Sequence, residues 1–283
     1  MSAESGTYQA YRTWVTEKAT VRPLISVVIP AYNEEWRILP TIGAIATHMC
    51  SRGEPWELII ADDGSTDTTV SLLEDLRFPN MTVLVAARNA GKGDAVRRGM
   101  LAARGDVILF ADADQSTPIE QFDRLLDKIN AGYDVVVGSR AADGATVSSK
   151  SALRKVLSRG LNLIVRGGFG ISVSDTQCGF KLFTAPAARS LFTLQVIDGF
   201  SFDLEVIYLA GRLGLRTSEV PVEWIDAPGS TVDAAKVSLQ FLADLARIKV
   251  RDLRGQYPVT AHSPAGRPAP SPHNLPRSDR TPR

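Results

Sequence analysis

Hydrophobic positions come in short runs, separated by stretches where apolar residues recur at three- and four-residue intervals. Ile25-Ser26-Val27-Val28-Ile29 is the first run and stops at Pro30. A helical pattern follows over 35–48. Leu58-Ile59-Ile60-Ala61 leads into Asp62-Asp63-Gly64-Ser65, where Ser65 or Thr66 is expected to cap a helix reaching Leu76, because a hydroxyl there satisfies a free backbone N–H. Segments 82–86, 107–110 and 135–137 read as further strands, with helices at 94–103 and 119–130 between them. Apolar strands interleaved with helices predict an α/β protein whose central sheet is mostly parallel and covered on both faces.

After Arg140 the pattern turns mainly helical. Residues 144–174 carry Lys150, Arg154, Lys155, Arg159 and Arg166 and no acidic side chain. Segment 203–213 reads as a helix, 219–224 as a strand and 232–253 as a long amphipathic helix. From Gln256 onward Pro, Ser and Arg dominate, the composition of a disordered basic tail.

Composition narrows this picture. The chain has 283 residues, 44% hydrophobic and 22% charged, enough to bury a sizeable core. Its net charge of +1 gives no general case for a nucleic-acid partner. Cys50 and Cys178 form neither a disulfide framework nor a zinc spacing, which fits a reducing, cytoplasmic location. Residues 1–22 lack the apolar centre of a signal peptide, and no run approaches the ~20 apolar residues that span a bilayer. Any membrane contact is therefore expected to be peripheral.

In parallel sheets ligands bind beyond the carboxyl ends of the strands. Those ends carry Tyr32, Asn33, Glu34, Asp62, Asp63, Asp112, Asp114 and Arg140. Asp112-Ala113-Asp114 has two carboxylates in the spacing that holds Mg2+ or Mn2+ on a diphosphate, and the same pair also fits a plain strand end that caps the next turn. Asp62 and Asp63 suit recognition of a base or ribose, or an ordinary strand-to-helix turn. Lys92 suits a phosphate or a solvated loop. No G-x-G-x-x-G follows the first strand. Gly91-Lys92-Gly93 is not a P-loop, since Ala86 stands at the first glycine position and Gly93 replaces Ser/Thr.

Taken together, Val27-Val28-Ile29-Pro30-Ala31-Tyr32-Asn33-Glu34-Glu35, Asp62-Asp63-Gly64-Ser65-Thr66-Asp67, Asn89-Ala90-Gly91-Lys92-Gly93, Asp112-Ala113-Asp114 and Gly138-Ser139-Arg140 resemble family 2 glycosyltransferases, in the same order. Asp175-Thr176-Gln177-Cys178-Gly179-Phe180-Lys181-Leu182-Phe183, Phe202-Asp203-Leu204-Glu205 and Val220-Pro221-Val222-Glu223-Trp224 narrow the likeness to dolichyl-phosphate β-glucosyltransferases, with dolichyl-phosphate mannose synthases as cousins. The resemblance implies a Rossmann-like GT-A fold over 24–254, between an N-terminal extension (1–23) and a disordered Pro/Arg-rich tail (255–283). It implies an inverting, metal-dependent hexosyl transfer. It places the nucleotide sugar on Pro30, Ala31, Tyr32, Glu34, Asp62, Asp63 and Lys92, and the diphosphate and metal on Asp112 and Asp114. The acceptor phosphate falls on Arg140, Arg154 and Ser158, with Asp175 and Gln177 near the sugar. Two positions depart from the pattern. Ser116 stands where the mannose synthases have a glutamine ligand, with Gln115 adjacent. Thr231 follows Gly229-Ser230 where the glucosyltransferases have a basic residue, and Lys236 is the nearest substitute.

Of the three histidines, His262 and His273 sit in the tail and His48 in a helix pattern. A hydroxyl acceptor needs a base. A phosphate monoester, with a second pKa of about 6, is largely ionised at pH 7 and needs none. This favours a polyprenyl phosphate acceptor, and the resemblance implies transfer of glucose from UDP-glucose, on the cytoplasmic face of a membrane and with lipid charge or a membrane protein as recruiting partner. GDP-mannose as donor, a non-lipid hydroxyl as acceptor, and a degenerate sugar-nucleotide-binding scaffold are the competing readings.

Overall fold

The apolar runs become strands of one sheet. In the computed structural model, which describes residues 3–148, 171, 173–225 and 234–257, β1 (Ile25–Ala31), β2 (Trp56–Asp62), β3 (Met81–Val85), β4 (Val107–Ala111) and β5 (Val135–Ser139) match the expected segments to within two residues at either end. Between them lie α2 (Ile38–Arg52), α3 (Thr69–Leu76), α4 (Lys92–Ala102) and α5 (Phe122–Asn130), the last entered through a 3-10 turn, Ile119–Gln121. β1 pairs in parallel with β2 and with β4, and β2 with β3.

Two later strands complete the sheet. β7 (Phe180–Thr184) runs antiparallel to β4 and β5, and β8 (Thr217–Pro221) is parallel to β5. The full order is β3-β2-β1-β4-β7-β5-β8. The sheet is mostly parallel, as expected, but the hydrophobic pattern does not announce β7. Lys181 breaks its apolar run, yet that lysine is buried, its ammonium 2.5 Å from Asp203 Oδ1 and 2.5 Å from the Cys178 carbonyl. The single strand expected over 219–224 is two: β8 in the main sheet, and β9 (Glu223–Ile225), which pairs with β6 (Thr146–Ser148) in a small second sheet.

Side chains alternate between two cores because successive residues of a strand point to opposite faces. Val27, Ile29, Leu58, Ile60, Leu109 and Leu182 face one core, which α2 and α5 cover. Val28, Ile59, Ile108, Phe110, Val137 and Phe183 face the other, covered by α4, α6 (Ala185–Leu194), α7 (Phe202–Arg212) and the buried side of α8 (Ala234–Leu253), where Leu245 and Ile248 lie. Each such side chain contributes about 1.5–3 kcal/mol by leaving water.

Both ends of the described chain are tied to this frame. α1 (Ala3–Thr16), which no apolar periodicity predicts, stacks Trp14 on Trp56 with ring centroids 4.3 Å apart and planes 1° apart. Asn80 secures the end of α1 and the turn beyond it: its amide donates to the carbonyls of Trp14 and Glu17, and its oxygen accepts from Ala19 N. Tyr257, expected to lie in the disordered tail, is instead buried, with its hydroxyl 2.5 Å from Glu205 Oε1. Residues 258–283 lie outside the described residues.

The strand order places a crevice. β2 and β3 continue from one side of β1 while β4 joins the other, so the chain changes direction between β1 and β4. Loops leave that point in opposite directions, opening a gap at the carboxyl ends where ligands bind in such sheets.

Candidate active site

The loops leaving β1 and β2 are shaped by carboxylates acting on the backbone. Asp62 Oδ2 accepts from Gly64 N and Ser65 N, both at 2.9 Å, and Asp62 Oδ1 takes the Ser65 hydroxyl. Asp63 accepts from Ala90 N and Gly91 N at 2.8 Å, drawing this loop onto the turn before α4. The expected cap at Ser65 or Thr66 is therefore not formed. Ser65 turns back to Asp62, Thr66 N donates to Asn33 Oδ1, and α3 starts only at Thr69, whose N–H is held by Asp67 Oδ1. Asp62 and Asp63 are buried in the wall of the expected nucleotide pocket, Pro30 and Ala31 are buried in β1, and Tyr32 is 44% exposed at its rim.

Glu34 marks how close this wall lies to β4. It is gripped by Arg37 through two hydrogen bonds of 2.6 and 3.0 Å. Burial pushes its carboxyl above the ordinary range against the pull of Arg37, and the charges of Asp114 and Asp112 add to the rise.

Asp112 and Asp114 leave the end of β4 on one turn. Asp114 Oδ1 accepts from Ser116 N at 2.9 Å. Asp112 Oδ1 lies 2.7 Å from Lys92 Nζ, and Asp112 N donates to the Gly179 carbonyl at 3.0 Å. Asp112, Asp114, Arg140 and Gln177 line one cleft of about 180 Å3 together with Ser116, Thr117, Gly179 and Trp224. Whole ligand pockets usually exceed ~300 Å3, so this cleft suits the diphosphate and sugar end of a donor rather than all of it.

A second carboxylate–cation unit forms the far wall. Arg140, directly after β5, donates from Nε and Nη2 to Asp175 at 2.7 and 2.9 Å, and its backbone N–H adds a third bond at 3.0 Å. Burial works against ionisation of Asp175, but the hydrogen bond and charge of Arg140 outweigh it and hold the carboxyl below its usual range. Glu219 on β8 fixes the segment from below, accepting from Ser174 N and Asp175 N. The Trp224 ring lies 5.7 Å from the Arg140 guanidinium. Arg154 and Ser158 lie outside the described residues, as do Ser230 and Thr231.

Behind the cleft lies a pair that sequence pattern alone does not reveal. The Lys181–Asp203 pair is buried, and the ammonium groups of Lys92 and Lys181 each sit 5.6 Å from the centre of the Phe110 ring. Burial raises the Asp203 carboxyl pKa despite both lysines. Lys92 is held above the ordinary lysine value: burial opposes its charge, and Asp112 and then Asp203 restore it. Trp224 also lies beyond hydrophobic patterning; its only signal is its place in the Val-Pro-Val-Glu-Trp run.

The donor set fits a hard divalent ion completed by other oxygens. Asp112 and Asp114 offer two carboxylates, and no group of three or more His, Cys, Asp or Glu side chains gathers as a metal cage among the described residues. A diphosphate would supply the missing ligands. Gln115 has a left-handed backbone (φ +53), and its amide donates to Thr41 on α2 at 3.2 Å.

Known proteins resemble this chain over most of its length. The family model described as Glycosyl transferase family 2 matches residues 26–192. The dolichyl-phosphate β-glucosyltransferase of Dictyostelium discoideum is 36% identical over 250 residues, 83% of this chain and 76% of the relative. That of Saccharomyces cerevisiae is 36% identical over 255 residues, covering 82% and 76%. Among solved structures, glucosyl-3-phosphoglycerate synthase of Mycobacterium tuberculosis in complex with Mn2+, UDP-glucose and phosphoglyceric acid superposes with a TM-score of 0.61 at 25% identity, covering 80% of this chain and 79% of that one.

Proposed function

The chain belongs to glycosyltransferase family 2, and from that premise we propose that it moves glucose from UDP-glucose to a polyprenyl phosphate. The observation that carries this reading is the one cleft that Asp112 and Asp114, after β4, share with Arg140, after β5. The names of the relatives support the lipid phosphate acceptor, and the Mn2+ and UDP-glucose complex of the structural neighbour supports the donor and the ion.

In this reading Asp112 and Asp114 hold Mn2+ or Mg2+, which when bound neutralises the charge gathering on the departing diphosphate. Lys92 adds a fixed positive charge on the same side. Arg140, oriented by Asp175, presents its remaining N–H groups to the acceptor phosphate, for which a planar guanidinium is well shaped. The phosphate oxygen forms a bond to the anomeric carbon as the bond from that carbon to UDP breaks, and UDP leaves with the electron pair. The attacker is already an anion, so no proton has to be removed. Asp175 is ill suited to remove one, being buried, held ionised and hydrogen-bonded to Arg140. That favours a phosphate over a hydroxyl acceptor.

Among the described residues no helix is long and apolar enough to cross a membrane. We place the chain peripherally on the cytoplasmic face of a membrane because its acceptor, in this reading, is a lipid. The test is purified protein with Mn2+, labelled UDP-glucose or GDP-mannose, and a short polyprenyl phosphate. Label from UDP-glucose should enter an organic-extractable, acceptor-dependent product. Label from GDP-mannose alone would replace the donor, and label only in water-soluble products would end the lipid reading.

A further inference from the structure

Lys92 does more in this structure than wait for a phosphate. Its backbone is clamped: it lies between Gly91 (φ +114) and Gly93, where an added Cβ would lie 2.4 Å from the Asp198 and Ile197 carbonyl oxygens, respectively. Gly93 N donates to the Asp198 carbonyl at 2.6 Å, and the Gln195 amide bridges the carbonyls of Gly93 and Ile197. From that fixed origin the side chain crosses Phe110 and ends 2.7 Å from Asp112 Oδ1.

Asp112 keeps Oδ1 buried beside this ammonium. A Cβ on Gly179 would lie 1.8 Å from its Oδ2, so that side of the carboxylate is pressed onto the glycine. A divalent ion taking either oxygen of this carboxylate comes close to the Lys92 ammonium and meets like charge at short range. Behind Lys92 lies the buried Lys181–Asp203 pair, whose ammonium sits at the same 5.6 Å from the Phe110 ring as that of Lys92.

We propose that Lys92 is the resident counter-cation of Asp112 and competes with the divalent ion for this carboxylate, so that free metal binds weakly until a nucleoside diphosphate gives Lys92 a new anionic partner. The inference rests on the reading of Asp112 and Asp114 as the diphosphate–metal pair. It makes metal and nucleotide binding mutually reinforcing through one side chain, with linkage that runs equally in both directions.

The experiment titrates Mn2+ into the purified full chain without nucleotide, reading free Mn2+ by electron paramagnetic resonance. Lys92→Met should bind Mn2+ about tenfold tighter than wild type, because a like charge at close range is gone. Lys92→Arg should stay as weak as wild type. UDP should tighten Mn2+ binding in the wild type by a larger factor than in Lys92→Met. Lys92→Gln, also uncharged, carries the same expectation should the Met variant fold poorly. Equal or weaker Mn2+ binding in the neutral variants, with binding still abolished by Asp112→Asn, overturns the competition and leaves the metal reading standing. Absence of Mn2+ binding in every protein, even with UDP, overturns both.

Discussion

At the scale of single residues, Gly179 sets where Asp112 can stand. Its missing side chain lets the carboxylate rest on the backbone, and the atoms an alanine would strike are the far end of that flexible side chain. Gly179→Ala should therefore fold but swing Asp112 out of place. Misplacement of this order lowers turnover by about 10- to 100-fold. Steady-state rates beside urea unfolding would check it; wild-type turnover would mean that the position of Asp112 is unimportant. Asp112, Asp114 and Arg140 can be placed on one rim from the sequence because each closely follows an apolar run that forms a strand of the sheet. The loop-forming work of Asp62 and Asp63 is not legible there, since their partners are backbone N–H groups whose approach depends on the folded turn. Nor is the burial of Lys181, whose counter-ion comes 22 residues later on another element.

At the scale of elements, legibility follows burial. β1, β2, β4 and β5 are covered on both faces and show as apolar runs. β7 sits equally deep but carries a lysine, and β9 is too short to show a period. α7 illustrates how elements hold one another. Its Glu205 is buried, accepts from Val196 N and Ile197 N, and takes the Tyr257 hydroxyl from beyond the end of α8. Those two amides belong to the loop that clamps Gly93. Tyr257→Phe leaves a buried carboxylate oxygen short of a donor, which costs about 1–3 kcal/mol. Chemical denaturation should show that loss, and UDP affinity should fall as the loop beside Lys92 loosens. An unchanged midpoint would deny the bond any role in stability.

At the scale of the whole molecule, α1 belongs to the fold although its sequence reads as part of an extension. It is polar enough to hide this, and it docks through Trp14 with Ala10, Tyr11 and Val15 beside it. Trp14→Ala removes a stack on Trp56 and an edge contact with Phe78. Large aromatic deletions in cores cost about 3–5 kcal/mol. A thermal or urea melt should register that fall, while the folded fraction keeps its turnover, since Trp56 opens β2 at the edge away from the cleft. Loss of turnover without loss of stability would contradict this placement. The antiparallel strand has a different consequence, one of timing during synthesis. β5 has only β7 and β8 as neighbours, and both leave the ribosome after it. The first four strands can assemble at once, but β5 then waits for its partners through seconds of translation at ~5–20 residues per second. For that interval β4 shows an unpaired border to solvent, the kind of surface on which nascent chains stick to one another and which chaperones cover.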